Sequence, residues 1–136
     1  ESHKARTRVV LNISPFVPKA GTAFQWLPMT RSEVIGRRLK MVKKGLRGVA
    51  DVRFDSPAWA EVQTVLARAG RELAPVIERM DVTSLSQWRH ALAEAEIDPG
   101  QYVHERWDTK AALPWDGINT GVSKKFLELE LARSTK

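Results

Sequence analysis

A mainly α-helical fold with one or two short strands is what this sequence predicts, and three observations carry the prediction. Apolar residues recur at helical spacing in several separate stretches, most of them opened by a capping residue or a proline. One compact apolar run, Val9, Val10, Leu11 and Ile13, has the length and β-branched character of a strand. Residues 49–54 alternate only in part, with Ala50, Val52 and Phe54 on one face, which makes a weaker second strand.

Taken in order, the first run stops at Ser14-Pro15, and its length suits a buried parallel-sheet strand. Without neighbours it is expected to pair with the second strand or to fray. Residues 14–26 then gather Pro15, Pro18, Gly21, Phe16, Phe24 and Trp26. Proline fixes φ and removes a backbone donor, so this segment neither extends a ladder nor starts a helix. A shaped loop is expected, with Phe16, Phe24 and Trp26 anchoring it in apolar packing.

Thr30-Arg31-Ser32-Glu33 has the spacing of a capping box, so the first long helix should begin there. Val34, Ile35, Leu39, Val42 and Leu46 give it one apolar stripe, and it should end between Gly45 and Gly48. Asp55-Ser56-Pro57 supplies a cap and a first-position proline for a second helix over 57–69. Trp59, Val62, Val65, Leu66 and Ala69 share its apolar face, and Gly70 fits the C′ position. A third, shorter helix ends near Met80 and begins close to Pro75, with Leu73, Val76, Ile77 and Met80 together.

Ser84 or Ser86 caps a fourth helix whose apolar face is Leu85, Trp88, Leu92 and Ala95. Asp98-Pro99-Gly100-Gln101 opens a further helical turn that Tyr102 and Val103 fold back on the bundle. Residues 106–122 lose periodicity but hold Trp107, Pro114, Trp115, Gly117 and Gly121, so an ordered loop pinned by its indoles is expected. The last segment, with Phe126, Leu127, Leu129 and Leu131, would be capped by Ser123 if helical.

The 136 residues carry a net charge of +6, and the pI is near 10.0. Arg37, Arg38, Lys40, Lys43, Lys44 and Arg47 fall within residues 34–50 without one acidic residue among them. That run is either a solvated helix face or a surface for RNA or an acidic partner, with Arg37, Arg38, Lys43 and Lys44 as the candidate contacts. The sequence has no cysteine, which excludes disulfides and a thiolate-held cluster within this chain. His3, His90 and His104 lie too far apart for a metal motif, so no metal site is expected.

No glycine-rich nucleotide loop and no nucleophile elbow is present. Asp116, inside a loop with Asn119 and Thr120, reads either as a turn-forming side chain or as a substrate or docking contact. Residues 1–8 are polar and hold no apolar run, so the chain reads as cytoplasmic, with no membrane partner.

Two motifs carry a resemblance to a known family. Pro15, Phe16, Pro18, Lys19, Thr22, Phe24, Gln25 and Trp26 resemble the PFxPKxxTxFQW segment that follows the last barrel strand in a group of radical S-adenosylmethionine (radical SAM) Fe-S oxidoreductases. Members of that group often carry an N-terminal cobalamin-binding domain. Leu113, Pro114, Trp115, Asp116, Ile118, Thr120, Gly121 and Val122 resemble its LPWDxIxTGV box. Arg68, Arg71, Leu73, Val76, Ile77 and Glu78 match a third pattern, RGDRRLxxVIE, from which Ala69, Gly70 and Glu72 depart.

The resemblance implies two parts: residues 1–29 as the last strand and proline-rich loop of a TIM-like barrel, and residues 30–136 as a helical C-terminal accessory domain. It implies a longer parent polypeptide whose N-terminal barrel uses a 4Fe-4S cluster and S-adenosylmethionine, in some members with cobalamin. The cluster-binding CxxxCxxC is not in this sequence. The segment alone is therefore expected to bind none of these cofactors and to be inactive. Ser14, Lys19, Thr22 and Gln25 would then face the substrate cleft at the barrel rim, together with Asp116. Two rival expectations are an RNA-binding or acidic-partner-binding helical module and a structural dimerisation domain.

Overall fold

The computed structural model describes residues 9–134. Strand β1 (Val10–Ile13), helix α1 (Ser32–Gly45) and strand β2 (Asp51–Phe54) form the first unit, followed by helices α2 (Pro57–Arg68), α3 (Ala74–Glu78), α4 (Leu85–Glu94), α5 (Gly100–Val103) and α6 (Lys124–Ser134). The mainly helical expectation holds, with two short strands. A 3₁₀ turn, Arg71–Leu73, leads into α3.

β1 and β2 pair in parallel, with Val10 opposite Asp51 and Ile13 opposite Phe54. The Asp51 N–H donates to the Val9 carbonyl at 3.0 Å and the Asp55 N–H to that of Ile13 at 3.2 Å, which extends the ladder at both ends. The apolar run thus takes the second strand as partner, but it is not the buried strand its composition suggests. Val9, Val10 and Leu11 keep 49%, 39% and 38% of their surface, and only Ile13 packs against the main core. Parallel strands are normally covered on both faces. A two-stranded sheet with so few neighbours leaves its own apolar residues wet.

α1 starts where predicted but without the capping box. Arg31 is the N-cap and no side chain caps it. Ser32 instead donates its hydroxyl to Glu61 Oε1 on α2 at 2.5 Å, so a residue of the motif ties two helices together. Ile35 and Leu39 are buried, and the helix ends at Gly45 ahead of a turn through Gly48, whose φ of +80° suits glycine.

α2 begins with Pro57 in its first turn, while Asp55 accepts a hydrogen bond from the Ser14 hydroxyl at 2.6 Å and caps nothing. Its buried residues are Ala60, Val62, Thr64, Val65 and Arg68. Leu66, expected on that face, is 50% exposed, because the buried stripe follows the 60-64-68 row one step away. Gly70 takes the C′ position but with φ −101°, outside the left-handed region. Its N–H donates to Glu72 Oε1 at 2.8 Å and not to a helix carbonyl as it would in a Schellman turn.

Pro75 sits in the first turn of α3, as required. Ser84 caps α4 by accepting from the Gln87 N–H, Asp98 Oδ1 accepts from the Gly100 N–H at the start of α5, and Ser123 accepts from the Phe126 N–H at the start of α6.

The core has two parts. The larger joins Met29, Ile35, Leu39, Val62, Val65, Leu73, Val76, Trp88, Leu92, Tyr102 and Val103. The smaller joins Trp26, Leu113, Leu127 and Leu131, and Trp107 packs against both. Two backbone bonds stitch the opening loop to the region after α5: Met29 N–H to Val103 O at 2.7 Å, and Trp107 N–H to Trp26 O at 2.9 Å. Among the described residues, no helix is long and apolar enough to cross a membrane.

Candidate functional site

The C-terminal end of α2 places Arg68 where the opening loop, α5 and the aperiodic segment converge. Its residue surface is 0% exposed, and among the described residues no carboxylate forms a salt bridge with it. The guanidinium donates instead to backbone carbonyls: Nη1 to Tyr102 at 2.5 Å and to Leu27 and Glu105 at 3.3 Å, and Nη2 to Glu105 at 3.3 Å. Its centre lies 4.0 Å from the centroid of the Trp107 ring, a cation–π contact in a dry setting. Desolvation pushes its pKa down to about 10, partly offset by the charge of Glu105.

Stacking continues outward from Arg68. Trp107 lies on Trp115 with ring centroids 6.0 Å apart and planes 19° from parallel. The Trp115 indole N–H donates to Gln25 Oε1 at 2.8 Å, and the same oxygen accepts from the Gly21 N–H at 2.9 Å. A single amide therefore joins the two motifs across ninety positions of sequence. Gln25 is 2% exposed, and among the described residues its amide nitrogen donates to no protein group.

Around that junction lies a cleft of about 100 Å³ bordered by Gly21, Gln25, Trp115, Asp116, Thr120 and Lys124. Asp116 Oδ2 accepts from the Leu113 N–H at 2.9 Å, closing the turn, and from the Lys124 ammonium at 3.4 Å. Lys124 also donates to the Ala111 carbonyl at 2.8 Å. The turn-forming expectation for Asp116 is met, and the residue also borders the cleft.

Of the residues singled out from sequence, the structure unites Gln25 and Asp116 and separates the rest. Lys19 and Thr22 are exposed, and the Thr22 hydroxyl donates to the Lys19 carbonyl at 2.8 Å to brace their own turn. Ser14 borders a different cleft, of about 210 Å³, with Phe16, Arg38 and Leu39. Trp26 is fully buried, but Phe16 and Phe24 are 46% and 37% exposed. Those two rings meet edge to face at 5.9 Å on the surface, so of the three aromatic side chains only the indole is an interior anchor.

The basic run also divides. Lys43 and Lys44 join Lys40 and Arg47 along a groove of about 640 Å³ between α1 and the start of β2. Arg37 is exposed on the same flank of the helix, whereas Arg38 lies across the buried stripe, on the Ser14 side.

Sequence reasoning gave no structural role to Arg68 or to the double packing of Trp107. A signal for Arg68 was present, since it stands four residues after Thr64 and eight after Ala60, in line with the most buried row of α2. A charged residue in such a row is ordinarily assigned to the helix edge.

Tyr102 marks a second linkage of the same region. Its hydroxyl donates to Glu72 Oε1 at 2.9 Å, and burial, then Glu72, pushes its pKa up to about 12. The Gly70 N–H, ahead of the Tyr102 bond, holds the Glu72 carboxyl below its usual range. Among the described residues no cluster of His, Cys, Asp and Glu could hold a metal ion. Compared with protein-family models, with curated proteins and with solved structures, the chain finds no match in any of the three.

Proposed function

We propose that this chain is the C-terminal part of a radical SAM Fe-S oxidoreductase, in which β1 is the last strand of a barrel and the helices form an accessory unit over its substrate side. The observation that carries the reading is the sheet. A β1 strand paired in parallel with β2 on one edge and with no further strand beside it among the described residues, its Val10 and Leu11 still 39% and 38% exposed and the proline loop at its C-terminal end, is what the last strand of a parallel barrel would present without the strands that precede it. The hydrogen bond that the Trp115 indole N–H donates to Gln25 supports it further, since it gives a physical reason for the two resembling motifs to occur together.

A thiolate-bound cluster does not fit this chain, which has no cysteine. The 4Fe-4S cluster, S-adenosylmethionine and any cobalamin would belong to the N-terminal barrel of the same polypeptide, and no catalytic step is assigned to the residues here. Their part is to close the barrel and to hold the loop that borders its mouth.

The gene upstream of Glu1 tests the reading first: three closely spaced cysteines after a strand are expected there. The longer protein, reconstituted anaerobically with iron and sulfide and given a reductant, should then convert S-adenosylmethionine to 5′-deoxyadenosine. An upstream region without those thiols, or a reconstituted protein that makes no 5′-deoxyadenosine, would overturn the assignment.

A further inference from the structure

The groove between the second half of α1 and β2 takes no part in the motif junction. Lys40, Lys43, Lys44 and Arg47 line it, with the backbone of Gly48, Ala50 and Val52 as its floor and Asp51 as its one acidic residue. Asp51 already has an interaction partner. None of the four cations is ion-paired among the described residues, unlike Lys124, which meets Asp116. Cations of the last helical turn complement the negative end of the helix dipole, and Lys43 and Lys44 sit there. Lys40 and Arg47 lie outside that turn, so the dipole does not account for them.

A second feature adjoins the groove. Phe54, at the end of β2, is 42% exposed, and the Lys43 ammonium lies 5.8 Å from its ring centroid. A basic channel next to an exposed aromatic ring is the pairing that single strands use, phosphates along the cations and a base against the ring. A duplex offers no free base face for the ring, and an acidic peptide has no need of it.

We propose that this groove binds the backbone of a single-stranded nucleic acid, with Lys40, Lys44 and Arg47 on phosphates and Phe54 stacking one base. The site is independent of the enzyme reading, since it requires only the residues of this chain.

Fluorescence anisotropy of the 136-residue chain with labelled oligouridine and oligodeoxythymidine, over a range of salt, tests it. The slope of log affinity against log salt should become shallower by roughly 2 in the Lys40→Gln, Lys44→Gln, Arg47→Gln variant, at about 0.7 per lost phosphate contact. Phe54→Leu should weaken binding about five-fold or more with the slope unchanged, the loss expected for one stacked base. Arg38→Gln, across the helix, should change neither, and circular dichroism checks that each variant folds. Preference for one oligonucleotide over the other tells RNA from DNA. An unchanged slope in the triple variant overturns the proposal. So does displacement of the oligonucleotide by polyglutamate of equal charge together with normal binding by Phe54→Leu, which would make the groove an acidic-polypeptide surface.

Discussion

Trp26 and Leu11 stand fifteen positions apart in an apolar, aromatic stretch, yet one has lost all its solvent contact and the other keeps 38% of it. Around Trp26 the chain closes on itself from three directions: α2 sends Arg68, the aperiodic segment sends Trp107 and Trp115, and α6 sends Leu127 and Leu131. Around Leu11 there is β2 on one side and no further strand among the described residues. Closure has a cost in the tight region, since the Trp26 indole N–H and Arg68 Nε are buried and meet no hydrogen-bond acceptor among the described residues. The open region avoids that cost and leaves apolar surface in water. Residues of similar hydropathy are thus held very differently according to how many elements reach them.

The largest effect should come from removing the guanidinium at the tight end. Arg68→Ala takes the donors from the carbonyls of Leu27, Tyr102 and Glu105 and leaves a void beneath Trp107, and should cost about 4 kcal/mol in urea unfolding followed by tryptophan fluorescence. A loss below about 1 kcal/mol would mean that the closure does not depend on it. Gln25→Leu keeps the volume but strands the Trp115 and Gly21 donors, and should cost about 2 kcal/mol by the same assay. If Gln25→Leu is neutral, the motif junction is held by stacking alone.

The pH response sharpens the same contrast, because both shifted groups of high pKa lie at the tight end. Tyr102 is the sole tyrosine, so tyrosinate absorbance reports it alone. Its midpoint should fall near 12, and Glu72→Gln should lower it only part of the way to 10.0, since burial, the largest single cause, remains. A phenol harder to ionise folded than unfolded contributes stability that is whole below pH 10.0 and is lost as the pH climbs through about 12. Arg68 acts in the opposite sense: burial lowers its folded pKa from the ordinary guanidinium range to about 10, so its burial penalty is full below about 10 and fades as the pH rises beyond that value. In Tyr102→Phe the loss of stability above pH 10.0 should become smaller.

The smallest effect belongs to the open sheet. Leu11→Asp should cost less than about 1 kcal/mol in this chain, because the side chain is already half wet. In a longer protein with further strands beside β1, the same change should cost several times more, as for a charge forced into a packed sheet. Equal costs in the two proteins would remove the difference between the regions and, with it, the support the sheet gives to the barrel reading.

Much of the local structure was legible without coordinates. Pro57, Pro75, Ser84, Asp98 and Ser123 sit at or beside helix starts because caps and prolines act within one turn of chain. The ordered loop over 106–122 followed from its indoles, and the pairing of the two motifs had been suggested only by resemblance. The capping box at Thr30, the burial of β1 and the inward faces of Phe16, Phe24 and Leu66 did not hold, since each depends on what stands opposite in space.

The sequence by itself determined where helices and strands begin, that the chain is basic, and that no thiolate-held cluster can form within it, because those follow from short-range sterics, charge and residue type. Only the tertiary structure decided that an arginine would be the centre of the tight end, that Gln25 would reach Trp115, and that the basic residues would split across α1. Those outcomes turn on which carbonyls, rings and faces long-range packing brings within a few ångströms, and spacing along one chain does not encode that distance.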